Sequence, residues 1–296
     1  MQQYFEGREL SKSDIIEPQI EVESKIFANE RKDSKWATNH TIIHYSTFAK
    51  MGFLKSSFKN DDLRFNVFID CYFKRALFED VNFTGSIFIN CNFDEATIVN
   101  CIFEYCKFEG CIIEYKYLKE SLSNRANLRW EICKNMSLEC LKLGNEIDYR
   151  KYFFEEKKAS EEYYFKKFWH KGKEQYYFKY NWVDQITGLG NFLLSKINKL
   201  LWGYGEKLSV LIFNMVLVIV IFTIVYYTKV TVIEDGSTMT VPFALYMSLC
   251  NFFTVTCDYT SVELNYKMYS VIEGGIGITL MGFFVAALFR YINKRG

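Results

Sequence analysis

The residues best suited to chemistry lie near the end of the chain, where positions 252–263 read FFTVTCDYTSVE. Within a short run, Thr254, Val255, Thr256, Cys257 and Asp258 bring together backbone carbonyls, threonine hydroxyls and a carboxylate. Such oxygens can replace the hydration shell of a cation, and carboxylates add a field that selects by charge. Other reactive groups are few. His40 and His44 have the i,i+4 spacing of a helical metal pair. They fall at the entrance to a non-helical repeat, so no ligand role is expected of them. HExxH, GxSxG and the Walker loop are absent, and GGIG at 274–277 lies inside an apolar run that no dinucleotide can reach. No enzymatic activity, catalytic residue or cofactor is expected, and no metal beyond permeant cations.

Two apolar runs flank the stretch. LSVLIFNMVLVIVIFTIVYY, from Leu208 to Tyr227, has one internal Asn and no charge. At about 1.5 Å per residue it is about 30 Å long, the thickness of the hydrocarbon core. The second run spans Tyr269–Ile292, with Glu273 near its start and Arg290 near its end. Lys196, Lys199 and Lys207 precede the first run, while Arg290, Lys294 and Arg295 close the second. The positive-inside rule then puts both termini in the cytosol and residues 229–268 outside. The N-terminal MQQYFEGRELSKSD is charged and has no apolar h-region, so no cleavable signal is expected. A multi-pass protein of the cell's inner or plasma membrane follows. Between the runs, VPFALYMSLCNFF from Val241 has Pro242 in a first-turn position. It is too short to cross, which suits a re-entrant half-helix delivering FTVTCDY.

The first half of the chain keeps a different rhythm. From Ile43, steps of five give Phe48, Phe53, Phe58, Leu63, Phe68, Phe73, Phe78, Phe83, Phe88 and Phe93. The series continues through Ile98, Phe103, Phe108, Ile113 and Leu118, skips Ser123, and ends at Leu128. Small residues often stand two places earlier, among them Ser46, Ser56, Cys71, Ala76, Ser86, Cys91 and Cys111. A period of five fits neither helix nor strand alone. It fits a square coil with five residues per side, a bulky side chain filling the centre and a small one at the corner. Roughly 18 pentapeptides make four to five coils, a rod of about 22 Å at the strand spacing. These residues resemble the pentapeptide-repeat proteins, and the resemblance implies a right-handed quadrilateral β-helix over residues 41–130. Cys71, Cys91 and Cys111, twenty residues apart, then stack in successive coils. That spacing permits a disulfide or metal ladder, but small buried hydrophobes in a reducing cytosol are the expectation. Residues 41–130 hold 11 acidic and 11 basic side chains, which disfavours a DNA mimic, and the net charge of +1 gives no general pull toward nucleic acid.

Residues 131–200 mix Glu, Lys and aromatics, as in KYFFEEKKASEEYYFKKFWHKGKEQYYFKYNW, and read as helical. Glu161 and Glu162 set against Lys166 and Lys167 supply pairing on a polar face. The segment can cap the open end of the solenoid, touch the membrane interface, or both. TGLGN at 187–191 is expected to break the helix.

The order of span, half-helix, filter-like strand and glycine-bearing span resembles the two-transmembrane ion channels. ALYMSLCNFFTV resembles their pore helix, IEGGIGITLMGFFVAALFR their inner helix, and WGYGEKL the approach to the first span. The resemblance implies four chains around a pore and a filter aligned on T-V-G-Y-G-D. That alignment gives Thr254, Val255, Thr256, Cys257, Asp258 and Tyr259, with both glycines missing. A slip of one residue would instead make Asp258 the terminal Asp. Without the glycines the full carbonyl ladder is not expected, because Thr256 is β-branched and disfavours positive φ. Thr254 and Val255 would remain, joined by rings of Thr256 hydroxyls and Asp258 carboxylates. Gly277 is the candidate gating hinge, with close packing expected at Gly274, Gly275 and Gly282. Gly203-Tyr204-Gly205 spells part of a filter but precedes the first span with no helix to support it, so a turn is expected there.

The chain therefore divides into a cap (1–40), a pentapeptide-repeat β-helix (41–130), a helical linker (131–206) and an all-α two-transmembrane module (207–296). A homotetrameric cation channel with a regulatory cytosolic solenoid is expected, with the bilayer, monovalent cations and a cytosolic protein or ligand at the solenoid as partners. The alternative is a non-conducting, membrane-anchored scaffold whose solenoid binds a protein.

Overall fold

Twenty residues carry a square coil back to its starting side, so side chains twenty apart should lie one above another. The computed structural model describes residues 8–9, 21–32, 36–169, 175–230, 239–256 and 264–293. The chain divides into two units, residues 1–191 and 192–296.

The described residues of the first unit form twelve short strands: β1 (Arg8–Glu9), β2 (Glu21–Glu23), β3 (Lys25–Ala28), β4 (Ala37–Asn39), β5 (Ile42–His44) and β6 (Thr47–Ala49). They continue as β7 (Ser57–Lys59), β8 (Val67–Ile69), β9 (Leu77–Glu79), β10 (Ile87–Ile89), β11 (Thr97–Val99) and β12 (Lys107–Glu109). All pairing is parallel, and the longest sheet runs β1-β3-β6-β8-β10-β12. Phe48 pairs with Phe68, Phe68 with Phe88 and Phe88 with Phe108, each twenty residues on. A second sheet, β11-β9-β7-β4, forms another side. The remaining sides are joined by single parallel bridges, such as Gly52 to Tyr72 to Asn92 to Ile112.

Every fifth-position side chain from Ile43 to Leu118, Leu128 included, is buried except the skipped Ser123. The rings form columns: Phe27, Phe48, Phe68, Phe88 and Phe108 stack at 4.5–4.9 Å. Within a coil they meet edge-on, as Phe83 does Phe88 at 5.4 Å. Corners occur at every fifth residue from His40 to Gly110, each with φ between 52° and 74°. Most of these corners are not glycine, and left-handed backbone costs them about 1 kcal/mol or more apiece. Cooperative stacking and the parallel ladder offset that cost.

Two features of the coil lay outside the five-residue reading. Parallel pairing extends upstream of residue 41, because Glu21–Glu23 and Lys25–Ala28 pair with later coils. Their offset is 21 residues, as in Phe27 to Phe48, whereas Ala37 pairs with Ser57 at 20. One extra residue between them shifts the phase and hides the earlier coil from a strict count. At the other end the ladder stops at Ile112 rather than near residue 130, and α1 (Tyr115–Leu118) and α2 (Ala126–Lys142) follow. Leu128 is buried from a helix, not from a coil.

The small residues two places before each bulky one are buried as expected, with the larger Asp61 and Asn66 as exceptions in size. Asn66 accepts from the Ser46 amide (2.8 Å) and donates to the Ile43 carbonyl (2.7 Å). Asp61 accepts from the Thr41 amide (2.8 Å) and the Thr38 hydroxyl (2.5 Å), and burial pushes its carboxyl up despite these bonds.

α2 and α3 (Glu146–Phe168) close the last coil. Asn135 accepts from the Phe108 amide (2.8 Å) and donates to its carbonyl (2.9 Å), acting as one more strand residue. Glu139 accepts from the Gly110 amide at 2.8 Å, and the Tyr152 hydroxyl donates to the Ile113 carbonyl at 2.8 Å. These bonds occupy backbone groups of the last coil that an open edge would offer to another strand. Arg129 of α2 pairs with Glu155 and Glu162 of α3, and Lys166 pairs with Glu162 as the charge spacing suggested. Lys167 pairs instead with Asp184 at 3.2 Å.

α4 (Trp182–Trp202) runs unbroken through residues 187–191, where a break was expected. Gly188 sits in it for packing: a Cβ there would lie 3.1 Å from the Tyr164 carbonyl. The second unit contains α5 (Leu208–Lys229), α6 (Val241–Phe253) and α7 (Leu264–Asn293), each packed against the other two. α5 and α7 are long and apolar enough to span a membrane.

Candidate functional site

α6 is the element that positions the 252–256 stretch. Pro242 opens it, where a missing N–H costs nothing, and thirteen residues give it about 20 Å, too short to cross a bilayer. Its end is closed by Thr254, whose left-handed φ of 53° turns the chain away. The amides of Thr254 and Val255 donate back to the carbonyls of Asn251 (3.2 Å) and Cys250 (2.9 Å). The left-handed residue is thus Thr254, itself β-branched, and Thr254–Thr256 form a helix cap rather than a strand. Thr254, Val255 and Thr256 are exposed at the negative end of the α6 dipole, a favourable place for a cation. Cys257 and Asp258 lie outside the described residues.

Contacts from both long helices fix this last turn. Glu273, on α7, is fully buried. Its two carboxyl oxygens accept from the Tyr226 hydroxyl on α5 (2.6 Å) and the Ser248 hydroxyl on α6 (2.5 Å), with the Ile219 carbonyl 3.0 Å from the same serine oxygen. Asn251 donates to the Tyr226 hydroxyl at 3.1 Å, completing a polar knot of four side chains among apolar helices. Sequence reading registered Glu273 only as a charge near the start of a span. An ionisable residue inside such a run is itself a functional signal, but its partners lie 25 and 47 residues away.

The glycines divide differently from expectation. A Cβ at Gly277 would lie 2.1 Å from the Phe252 carbonyl oxygen, so the backbone of α6 rests directly on the residue proposed as hinge. At Gly274 the nearest atom is the Asn251 carbonyl at 3.4 Å, while Gly275 and Gly282 meet nothing within 4 Å. α7 is continuous through all four.

At the opposite end of α5, Gly203, Tyr204 and Gly205 are all left-handed and form the turn from α4 into α5. Asn214, the one asparagine internal to the first apolar run, donates to the carbonyls of Leu200 (2.6 Å) and Leu201 (2.9 Å). Arg290 reaches Glu206 at 3.0 Å, and Trp202 packs on Phe283 with ring centroids 4.9 Å apart. The outward faces of α5 and α7 carry exposed Phe213, Val216, Val220, Val271, Ile278 and Phe289.

On the solenoid, Cys91 donates its amide to Cys111 Sγ at 3.1 Å, consistent with a stacked column, and the eight described cysteines are buried thiols. Burial pushes Cys101 up to about 11 and Cys106 up to about 12, and raises Cys91 well above the ordinary thiol range. Among the described residues, no group of three or more His, Cys, Asp or Glu could hold a metal. One corner column carries exposed aromatics: Tyr45 stacks on Phe65 at 5.2 Å, with Tyr105 two coils beyond.

Residues 68–113 match the family model for pentapeptide repeats, in 9 copies. Pentapeptide repeats wound into a β-solenoid, followed by a helical region with two helices able to span a membrane, thus describe the chain. No curated protein matches it.

Proposed function

We propose that the chain is one subunit of a homotetrameric membrane cation channel, with a cytosolic solenoid whose binding of a protein or ligand biases the pore. The observation that carries this reading is α6: a short apolar helix wedged between two helices able to span, ending in exposed Thr254–Thr256. One such unit encloses no pathway, and the bare apolar faces of α5 and α7 need lipid on one side and further copies on another. Lys196, Lys199, Lys207 and Arg290 support a cytosolic position for both ends of the pore module under the positive-inside rule. Selection then rests on charge more than on ionic radius, because Thr256 and Asp258 stand where glycine carbonyls would form a full ladder. The channel passes cations over anions with little preference for potassium over sodium, and its current falls as pH drops through the carboxylate range. Asp258→Asn reduces conductance, and Glu263→Gln has a smaller effect. Purified protein in planar bilayers, recorded with potassium on one side and sodium on the other, tests this. A reversal potential near zero agrees, and strong potassium selectivity surviving Asp258→Asn refutes the acidic ring.

The exposed Tyr45, Phe65 and Tyr105 favour a second reading, a membrane-anchored scaffold whose solenoid holds a protein partner while the pore stays silent. Absence of current from a correctly assembled protein selects it.

A further inference from the structure

We propose that Glu273 is a positioning residue: its carboxyl group locks the last turn of α6, and with it Thr254–Thr256, against both spans. The consequence for ion flow rests on the channel reading above, but the mechanical claim stands separately. Three helices meet at this one side chain. Oε2 accepts from Tyr226 of α5 and Oε1 from Ser248 of α6, and Tyr226 in turn accepts from Asn251, one turn of α6 farther on. The next residues on the same face of α7 are shaped to receive that turn. Gly274 faces the Asn251 carbonyl, and Gly277 lets the Phe252 carbonyl approach closer than any side chain would allow. Residues 248, 251 and 252 are thereby held within six positions of Thr254. Glu273 and Tyr226 together bond the side chains of α5, α6 and α7. In a dry interior such a pin is strong, because its partners have no water to turn to once it is removed.

Substitutions separate geometry from charge. Glu273→Gln keeps an oxygen for Tyr226 and offers an N–H to Ser248, whose hydroxyl can then serve the Ile219 carbonyl. Glu273→Ala removes both contacts. The native thiol of Cys250, buried in the last turns of α6, reports whether that turn is held. In proteoliposomes of the full chain, N-ethylmaleimide labelling is followed at Cys250 by peptide mass. Glu273→Ala should raise the rate about tenfold, the effect of losing one to two net hydrogen bonds from a local opening equilibrium. Glu273→Gln should remain close to wild type. If Glu273→Ala does not assemble, Tyr226→Phe and Ser248→Ala, each removing one donor, should show smaller increases. Unchanged labelling in the alanine variant, or equal acceleration in the glutamine variant, overturns the proposal. Bi-ionic recordings on the same samples read the second half: the potassium-to-sodium ratio should shift in Glu273→Ala and return in Glu273→Gln. A silent wild type defeats the channel reading while the labelling result still decides the pin. Faster labelling with an unchanged ratio defeats the link from α6 to selectivity.

Discussion

In the solenoid each coil supplies the backbone partners of the next, and the phenylalanine columns are enclosed on all four sides, with α2 closing the last coil. In the helical unit each helix satisfies its own backbone, yet the outward faces of α5 and α7 remain bare. The two regions contain similar apolar residues and place them oppositely. A repeat that buries its own core asks nothing of its surroundings beyond a capped end. Helices that pair their backbone internally and expose apolar side chains suit lipid or further copies of themselves. The contrast separates a self-sufficient module from one completed by its environment.

The sharpest way to break the contrast is to empty the solenoid core. Phe83 touches Phe103 at 5.2 Å, Phe88 at 5.4 Å and Phe78 at 5.5 Å. Phe83→Ala should cost about 3–5 kcal/mol in chemical denaturation. The neighbouring Thr84→Ala, which loses one partly buried bond to Asn82, should cost about 1 kcal/mol or less. Equal losses would mean that burial at every fifth residue is not what holds the coil. The cap comes next. Asn135→Ala leaves the Phe108 amide and carbonyl unpaired and should cost about 1–3 kcal/mol, with faster hydrogen exchange at Phe108. Unchanged exchange there would show that the last coil needs no cap.

In the helical unit, Gly277→Ala drives a methyl into the Phe252 carbonyl and should destabilise the packing of α6 on α7 by about 1–3 kcal/mol. Reduced thermal stability of the detergent-solubilised protein is the expected readout. Full stability together with altered gating would instead return Gly277 to a hinge role. The smallest effect is chemical. Cys101 and Cys106 hold their protons to about pH 11 and about pH 12, so at pH 8 the native solenoid should label far more slowly than the urea-unfolded chain. Rapid labelling of native Cys106 would contradict its inward placement.

The solenoid was legible because a period of five is written at almost every step from Ile43 to Leu118. Its limits were not, since one additional residue before Ala37 breaks the phase and Leu128 keeps time by coincidence on a helix. Asn135 and Glu139 carry no pattern, because their partners, Phe108 and Gly110, are near only after the chain has folded back. Two helices long and apolar enough to span a membrane, and the shorter α6 between them, were legible from length and composition. The Glu273 knot was not, for hydrogen bonds across 25 and 47 residues leave no spacing to read. Gly277 shows a subtler gap: a glycine that bends a helix and a glycine that admits a neighbour's carbonyl look alike in sequence.

Bi-ionic current through the purified full chain in planar bilayers tests most directly whether α5, α6 and α7 build a pore. Cation-selective unitary currents reversing near zero between potassium and sodium, and reduced by Asp258→Asn, are the predicted result. An assembled protein that passes no current, or one that passes anions as readily as cations, would contradict it.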